Sequence, residues 1–522
     1  MKLSRKTCLT SFVAVAIFIV VYAWIRFVIS DRMYPFVFGD ETIHSYKAYL
    51  WNRYHSWSAP SGVPDIESQY APLYSIVTSF LYSGKDLVAA YPMVLRFNAF
   101  LLSITCSALF LLLKTKFPAY ISAVVSCCTG LYAGYSGCAV VSMSEALFLP
   151  LFVLLVAVII VPRESVVPQT IVCTILLFLL LLTRKQGIGL LPAIPLSIVL
   201  TYRSHRIKAV FWSILPLIIG CLAWKIDSLC TSGGHQNLQW YSKAFFSLGP
   251  EAKFTLQPVW GQVAYMNAAS GCLLVPAILL AIFGPRKIRM PSQILLILCA
   301  FYIIPGIIHM YTHNIPMADS RYQMYGRYCD GAAIIVSILG LLSLFQTFQF
   351  RDKHIIAQTI IISSLFLSLF IPIEIGHSFN NNFGACWILL VEKLFSIHSV
   401  RYILTLIFSI CIAMAYSSES KRYKCVAIAV FAIVQLMSTL YFRMAISKDQ
   451  TERQKYTVKV RELRESDNVI LCPAEKPEAG WHYQAMFFMC DRFLTKPPSD
   501  FTGDIYTINA RGKVEQVVPK SE

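Results

Sequence analysis

Two adjacent acidic residues followed by a histidine form the stretch of this sequence best suited to chemistry. Asp40 and Glu41 are neighbours, and His44 follows Asp40 by four residues. On a helix this spacing places Asp40 and His44 on the same face. The group could accept a proton or hold a divalent cation. It also suits an ordinary helix start, with Asp40 as the N-cap and Glu41 as a first-turn acid.

An aromatic element follows in the same segment, Tyr70-Ala71-Pro72-Leu73-Tyr74. It could be an interfacial belt with a helix beginning at Pro72. Alternatively, Tyr70 and Tyr74 could line a substrate cavity together with His44 and Tyr325. Both interpretations stay open.

Later segments contribute one more acid and several cations. Glu145 opens an apolar run and is either a second active carboxylate or a helix-start acid. Arg96 and Arg327 lie next to apolar runs, where a charge needs a partner or must reach the interface. Because a guanidinium donates two parallel hydrogen bonds to a phosphate, both are predicted phosphate ligands. The weaker candidates for the same role are Arg184, Lys185 and Lys85.

Composition predicts that these residues are carried by a membrane protein. The chain has 522 residues, of which 56% are apolar and 14% charged, with a mean hydropathy of +0.59. A typical soluble domain has about 25% charged residues. These values exclude collagen, coiled coils, disordered chains and small disulfide-rich scaffolds. The net charge of +17 comes mostly from short clusters between apolar runs, so no nucleic-acid partner is predicted.

Apolar runs predict about thirteen transmembrane helices. The first spans residues 8–29 and is read as a retained helix, because Trp24 and Arg26 stand where a signal peptide would have small residues. Alternate short loops are rich in Lys and Arg, which predicts a cytoplasmic N-terminus. The Arg184-Lys185 pair is the exception, since it falls on the predicted outer side.

Two outer segments should position the chemistry. Residues 30–92 are predicted to form one or two helices along the outer membrane surface, the first beginning near Asp40, with a break at Pro60 to Pro64. Residues 447–522 are predicted to form a small α/β extracytoplasmic domain, separate from the membrane-embedded module of residues 1–446. Its predicted elements are a helix over 450–465 and strands over 469–472 and 504–508. Cys472 and Cys490 could pair if the outside is oxidising, and the sequence leaves this open.

The order of these motifs resembles the GT-C superfamily of integral-membrane glycosyltransferases. It is most similar to the branch of protein O-mannosyltransferases and ArnT-type lipid A aminoarabinose transferases. Asp40-Glu41 with Tyr46 matches the acidic motif of the first outer loop, and residues 70–74 match the Pro-aromatic element. Glu145 stands where that branch often has a second acid. Thr183-Arg184 and Gly326-Arg327-Tyr328 resemble further elements, each without the usual nearby proline.

This resemblance implies an all-α polytopic enzyme that uses a sugar donor linked to polyprenyl phosphate. The sugar would pass to a lipid, glycan or protein acceptor on the extracytoplasmic side, with inversion. Asp40 would be the general base, supported or replaced by Glu41, with Glu145 next in line. No cofactor is certain, although a divalent cation bound through Asp40 and Glu145 is a further hypothesis.

Two further questions are the membrane and the rival function. The absence of any Asn-x-Ser/Thr sequon favours a bacterial inner membrane over the endoplasmic reticulum. The alternative function is a transporter or flippase of a lipid-linked or small-molecule substrate. Such a protein would need ionisable residues near mid-membrane and broken helices in matching halves, whereas the charges here cluster at the predicted outer ends.

Overall fold

The apolar runs fold into helices that account for most of the chain. The computed structural model describes residues 5–29, 32, 34–35, 38–58, 70–230, 257–314, 326–346, 353–371, 382–397, 399–418, 420–466, 468–474, 480–499, 501–509 and 513–517. The helices up to residue 230 are α1 (Arg5–Ile29), α2 (Phe38–Tyr54), α3 (Leu73–Thr78), α4 (Leu87–Leu113), α5 (Ala119–Leu131), α6 (Ala133–Gly137), α7 (Glu145–Ile160), α8 (Val166–Thr183), α9 (Leu190–Thr201) and α10 (Arg206–Cys230). Those that follow are α11 (Gln257–Ala269), α12 (Leu274–Phe283), α13 (Arg286–Asn314), α14 (Asp330–Leu344), α15 (Lys353–Ser368), α16 (Cys386–Phe395), α17 (Val400–Ser417), α18 (Lys421–Glu465) and α19 (Gly480–Met489).

The chain is an integral membrane protein. Within the described residues, seven helices are long and apolar enough to cross a membrane, and two bent pairs, α5–α6 and α11–α12, bring the number to nine if each is one span. The other four predicted spans form apolar helical segments of 15 to 17 residues, one of which is α9 preceded by a 3-10 turn; these lengths are at or below the lower limit for crossing a bilayer. One of them, α14, is buried along its whole length. The estimate of about thirteen spans therefore included apolar runs that are too short to be spans by length alone.

The first outer loop contains helices, as predicted. Helix α2 begins two residues before Asp40, and α3 begins directly after Pro72, whose fixed φ suits a helix start. Every residue from 41 to 50 is buried, so α2 lies inside protein rather than along an open surface. The predicted break at Pro60 to Pro64 lies outside the described residues.

The C-terminal appendage, defined here as residues 468–517, contains a three-stranded sheet of order β1–β2–β3. Strands β1 (Val469–Pro473) and β2 (Asp504–Ile508) pair in parallel, and β3 (Val514–Gln516) pairs antiparallel with β2. Both predicted strands are confirmed, while the three-residue β3 was missed. Cys472 and Cys490 are both free thiols.

A single long helix joins the bundle to the appendage. Helix α18 runs unbroken for 45 residues, so it includes the helix predicted over 450–465 and crosses the proposed domain boundary at 446–447. Helix α19 then packs against α2. The hydroxyl of Tyr49 donates to Asp491 Oδ2 at 2.7 Å, and Arg53 forms a salt bridge with the same oxygen at 2.9 Å. The appendage therefore packs against the helix that carries Asp40.

Candidate active site

Four charged side chains from distant parts of the sequence meet beside the start of α2. Asp40 lies in the first turn of α2, and Glu145 is the first residue of α7. Arg184 directly follows α8, and Arg327 lies in a 3-10 turn over Gly326–Tyr328, just before α14. Each side chain thus lies at or near a helix end, and three of the four are mostly buried. We call these four residues the acid–arginine cluster.

Arg327 is the centre of this cluster. Its Nε and Nη2 donate to Glu145 Oε1 at 2.9 and 2.5 Å, and its Nη1 lies 3.6 Å from Asp40 Oδ2. Arg184 forms an ion pair with the same Glu145 oxygen, and its guanidinium stacks over the ring of Tyr328 at 5.3 Å. Glu145 is therefore shared by two arginines, whereas Asp40 makes only a long contact with one.

Exposure separates the two carboxylates further. The side chain of Asp40 is 29% exposed, against 6% for that of Glu145. Two carboxylates and two guanidinium groups leave the cluster with no net charge at neutral pH. Asp40 is consequently the carboxylate that an incoming molecule can reach, and Glu145 is the one that holds the arginines in place.

Tyr70 fixes the orientation of Asp40. Its hydroxyl donates to Asp40 Oδ1 at 2.5 Å, and its ring lies 4.8 Å from that of His44. Burial, together with the nearby Asp40 carboxylate, raises the pKa of Tyr70. The phenol therefore stays protonated and keeps donating, which leaves Asp40 Oδ2 as the oxygen that faces Arg327.

His44 lies behind this pair as a neutral ring. The hydroxyl of Ser75 donates to the His44 carbonyl at 3.1 Å, so at 3.4 Å it can only accept from His44 Nδ1. With this arrangement Nδ1 carries the proton, and the buried Nε2 has no hydrogen-bond partner among the described residues. Burial lowers the pKa of His44 to about 4, despite the opposing influence of Glu145 and Asp40.

This burial predicts a pH-dependent stability. His44 has an ordinary pKa near 6.5 when unfolded and about 4 when folded, a difference of about 3 kcal/mol. Between these values the unfolded chain binds more protons, so the free energy of unfolding falls as the pH drops from 6.5 to 4. His44→Phe should remove this component in unfolding measurements in detergent, whereas His205→Phe, at an exposed position, should keep it. Identical pH profiles for wild type and His44→Phe would contradict the assignment.

Glu41, although adjacent to Asp40, points to a different environment. Its carboxylate is fully buried and pairs with Arg32 Nη2 at 3.0 Å. It also accepts hydrogen bonds from the Tyr91 hydroxyl and, at 3.0 Å, from the Ser142 amide. These contacts tie α2 to α4 and to the segment before α7. The structure therefore favours a structural role for Glu41 over the catalytic role inferred from the sequence.

Breaking this buried pair should destabilise the protein. Glu41→Gln removes the carboxylate charge that pairs with the buried Arg32 guanidinium, and loss of one partner of a buried ion pair costs about 3–5 kcal/mol. We expect a correspondingly lower free energy of unfolding in detergent, with Glu164→Gln, at an exposed position, as the matched control. Wild-type stability combined with loss of activity would instead favour the catalytic role.

The remaining candidates from the sequence are scattered. Arg96 is exposed on α4, and Lys85 is exposed in the turn before that helix; neither contributes to the acid–arginine cluster. Lys185 is half-buried and lies within electrostatic range of Asp227. Tyr74 is buried, donates to Asn98 Oδ1 at 3.2 Å and packs edge-on against His44. Tyr325 lies outside the described residues.

One acid near the cluster was not identified from the sequence. Asp330, at the start of α14, is buried and accepts hydrogen bonds from Tyr132 at 2.9 Å and Tyr265 at 2.6 Å. These bonds anchor the segment that begins with Arg327. The signal was present, since an acid opening an apolar run is costly unless it is partnered; the partners could not be identified because they lie far away in sequence.

Among the described residues, no three His, Cys, Asp or Glu side chains are grouped in a way that could hold a metal ion. Asp40 and Glu145, the two carboxylates considered as metal ligands, are bridged instead by Arg327. The cation between them in this structure is thus a guanidinium.

Solved structures with a similar fold are known. The chain resembles ArnT from Cupriavidus metallidurans bound to undecaprenyl phosphate, with a TM-score of 0.50 and 13% identity over 91% of this chain and 84% of that one. The chain has the GT-C fold. The apo state of the same ArnT gives a TM-score of 0.49 and 14% identity over 95% and 92% of the two chains. An oligosaccharyltransferase from Archaeoglobus fulgidus, tethered to an acceptor peptide, gives 0.46 and 9% identity over 92% and 63%.

At this level of identity the likeness shows the GT-C fold and nothing finer. The sequence matches no protein-family model and no curated protein at a significant level. The fold predicted from the sequence motifs is therefore confirmed. What the acid–arginine cluster does must be argued from its own geometry.

Proposed function

We propose that this protein is a membrane glycosyltransferase that moves a sugar from a polyprenyl-phosphate-linked donor to a lipid, glycan or protein acceptor. The observation that carries the proposal is the pairing of Asp40 with Arg327 in a chain with the GT-C fold. A partly exposed carboxylate and a guanidinium 3.6 Å apart offer a base and an anion-binding group within the reach of one sugar phosphate. The solved ArnT was bound to undecaprenyl phosphate, a lipid of the chemistry proposed here.

The reaction would be a single displacement. The acceptor hydroxyl oxygen attacks the anomeric carbon and forms the new glycosidic bond, while the bond from that carbon to the phosphate oxygen breaks. Asp40 takes the hydroxyl proton, and the electron pair of the broken bond leaves with polyprenyl phosphate. Attack opposite the leaving group inverts the anomeric configuration. Tyr70 supports this role because its hydrogen bond to Oδ1 holds the carboxylate still.

The arginines would stabilise the departing phosphate. Arg327 contacts Asp40 through only one long ion pair, so its Nη1 can turn from Asp40 to a phosphate oxygen. Arg184 lies beside it on Glu145, and both guanidinium groups are mostly buried, where their attraction for an anion is screened less than in water. Glu145 keeps two like charges side by side in the absence of substrate.

A polyprenyl-phosphate donor must also be held in the membrane next to the acid–arginine cluster. Polyprenyl phosphate places its anion at the interface and its tail in hydrocarbon, which suits side chains at helix ends next to exposed apolar helix surface. With the N-terminus in the cytoplasm, the cluster and the appendage would lie on the extracytoplasmic side. A bacterial inner membrane is the proposed location.

The test is a direct transfer assay. The purified protein is incubated in detergent with radiolabelled polyprenyl-phosphate sugars and a panel of lipid, glycan and peptide acceptors. Labelled product or donor hydrolysis that exceeds an Asp40→Asn control supports the proposal. Uptake of a lipid-linked sugar or small solute into proteoliposomes, with no transfer or hydrolysis, would overturn it in favour of the transporter.

A further inference from the structure

A second cleft opens where α2 meets the appendage, away from the acid–arginine cluster. It has a volume of about 520 Å³. Its lining comprises Tyr49, Asn52 and Arg53 of α2, Lys85 and Asp86 from the turn before α4, and residues 488–492 of the appendage. We call it the α2–appendage cleft. Its lining is polar and aromatic, unlike the lipid-facing surface of the bundle.

The charges around this cleft are not balanced. Asp491 is paired with Arg53 at 2.9 Å, and Asp86 is paired with Arg464 at 2.7 Å. Both acids of the lining are thus neutralised. Arg492 remains positive, with its guanidinium hydrogen-bonded only to backbone carbonyls, and Lys85 has no side-chain partner among the described residues. Two cations without counter-ions favour an anionic ligand.

The uncharged groups indicate what else the ligand carries. The Asn52 side chain is partly exposed in the cleft and has no partner among the described residues, so its amide can both donate to and accept from a hydroxyl. Tyr49 also lines the cleft, but its ring is buried and the Arg53 guanidinium lies over it. An exposed ammonium beside a side-chain amide suits a ligand that carries both a negative charge and hydroxyls.

The wall contributed by the appendage has an unusual backbone. Cys490 is buried and has a φ of +49°, a left-handed conformation that costs free energy in a residue with a Cβ. The adjacent Asp491 contacts both Tyr49 and Arg53. The turn at Cys490 therefore aims Asp491 at α2 and sets the shape of the cleft.

The cleft and the proposed base lie on the same helix. Asp40 is in the first turn of α2 and Arg53 in its last turn, which at 1.5 Å per residue separates them by about 20 Å. An acceptor of several sugar units could therefore be held in the cleft while its attacking hydroxyl lies at Asp40.

We propose that the α2–appendage cleft binds an acidic saccharide, a sugar that carries a carboxylate or a phosphate, as part of the acceptor. The acceptor role rests on the proposed function, but saccharide binding does not. Lys85 pairs with the acidic group and Asn52 binds ring hydroxyls. Lys85, a predicted donor-phosphate ligand in the sequence, thereby serves the other substrate.

Ligand binding without catalysis tests the site directly. Saturation-transfer NMR is run on the full-length protein in detergent with glucuronate, glucose 1-phosphate and glucose, and inorganic phosphate, which has no carbon-bound protons to observe, is measured as a competitor of the bound sugars. The two acidic sugars should show saturable binding, and glucose and inorganic phosphate should each bind about tenfold more weakly, because each lacks one half of the recognition. Inorganic phosphate binding as tightly as both sugars would overturn saccharide recognition, and no saturable binding of either acidic sugar would overturn the site.

Two variants and a matched control locate the binding. Lys85→Met should weaken binding of both acidic sugars about tenfold, whereas Lys496→Met, at an exposed lysine of the appendage outside the cleft, should leave it unchanged. Asn52→Ala should weaken sugar binding without affecting inorganic phosphate. Wild-type affinity in Lys85→Met would overturn the assignment. Lys85 is exposed and Asn52 is partly exposed, and thermal unfolding checks that both variants fold.

The transfer assay separates this inference from the proposed function. Lys85→Met should raise the KM for an acidic acceptor and leave the KM for the donor unchanged. Saccharide binding without any transfer would retain the cleft and refute the glycosyltransferase. Transfer with an unchanged acceptor KM in Lys85→Met would retain the enzyme and refute the cleft as its acceptor site.

Discussion

Asp40→Asn is expected to lower the rate of sugar transfer by about 10²–10⁴-fold, the usual loss on removal of a general base. Asparagine keeps the size of the side chain and still accepts the hydrogen bond from Tyr70, but it cannot take a proton from the acceptor. Turnover is measured with radiolabelled donor at saturating donor and acceptor. The effect should be on kcat, because the donor phosphate is held by the arginines.

The matched control is Glu164→Gln, which removes an exposed carboxylate and should retain wild-type turnover. Near-normal turnover in Asp40→Asn would remove Asp40 as the base. If Glu145→Gln then abolished transfer while the protein remained folded, Glu145 would take that role.

Arg327→Lys is expected to lower kcat by about 10²-fold, comparable to loss of one donor aimed at a developing negative charge. A lysine keeps the charge but cannot donate to Glu145 through two nitrogens and still face Asp40 with a third. The leaving phosphate would therefore lose a positioned donor. The measurement is single-turnover transfer, which isolates the chemical step from product release.

Arg96→Lys provides the control for this second prediction. Arg96 is an exposed arginine on α4 outside the acid–arginine cluster, so the same chemical change there should leave kcat unaltered. Equal losses in both variants would mean that charge at the membrane interface, rather than contact with the leaving group, determines the rate.

The contrast between Asp40 and Glu41 shows what the sequence could and could not reveal. Their adjacency to His44 marked the start of α2 as a place for chemistry, and the structure brings Asp40 together with Arg327 and Glu145. However, neighbours on a helix point about 100° apart, and only the packed structure shows which of the two faces the cluster. Glu41 faces Arg32, which is nine residues earlier and has no distinctive motif.

The cations illustrate the same limit. Arg184 seemed misplaced because it breaks the charge pattern of the loops, and that anomaly corresponds to its pairing with Glu145. Arg96 fitted the motif order better but is exposed, since its direction depends on which face of α4 meets the bundle. Helices and the two main strands of the appendage were predictable from local apolar and turn patterns, whereas partners separated by a hundred residues or more were not.

Because helix α18 is continuous, the number of its residues sets both the rotation and the height of the appendage relative to the bundle. Its 45 residues form a rod about 68 Å long, roughly twice the thickness of the hydrocarbon core. One residue inserted beyond the membrane would turn everything after it by about 100°, carrying Arg464 off Asp86 and Asp491 off Tyr49. Seven inserted residues would nearly restore the angle but lift the appendage by about 10 Å. A loop would absorb either change, whereas this rod transmits both, so its length can vary only if α2 and the appendage change with it.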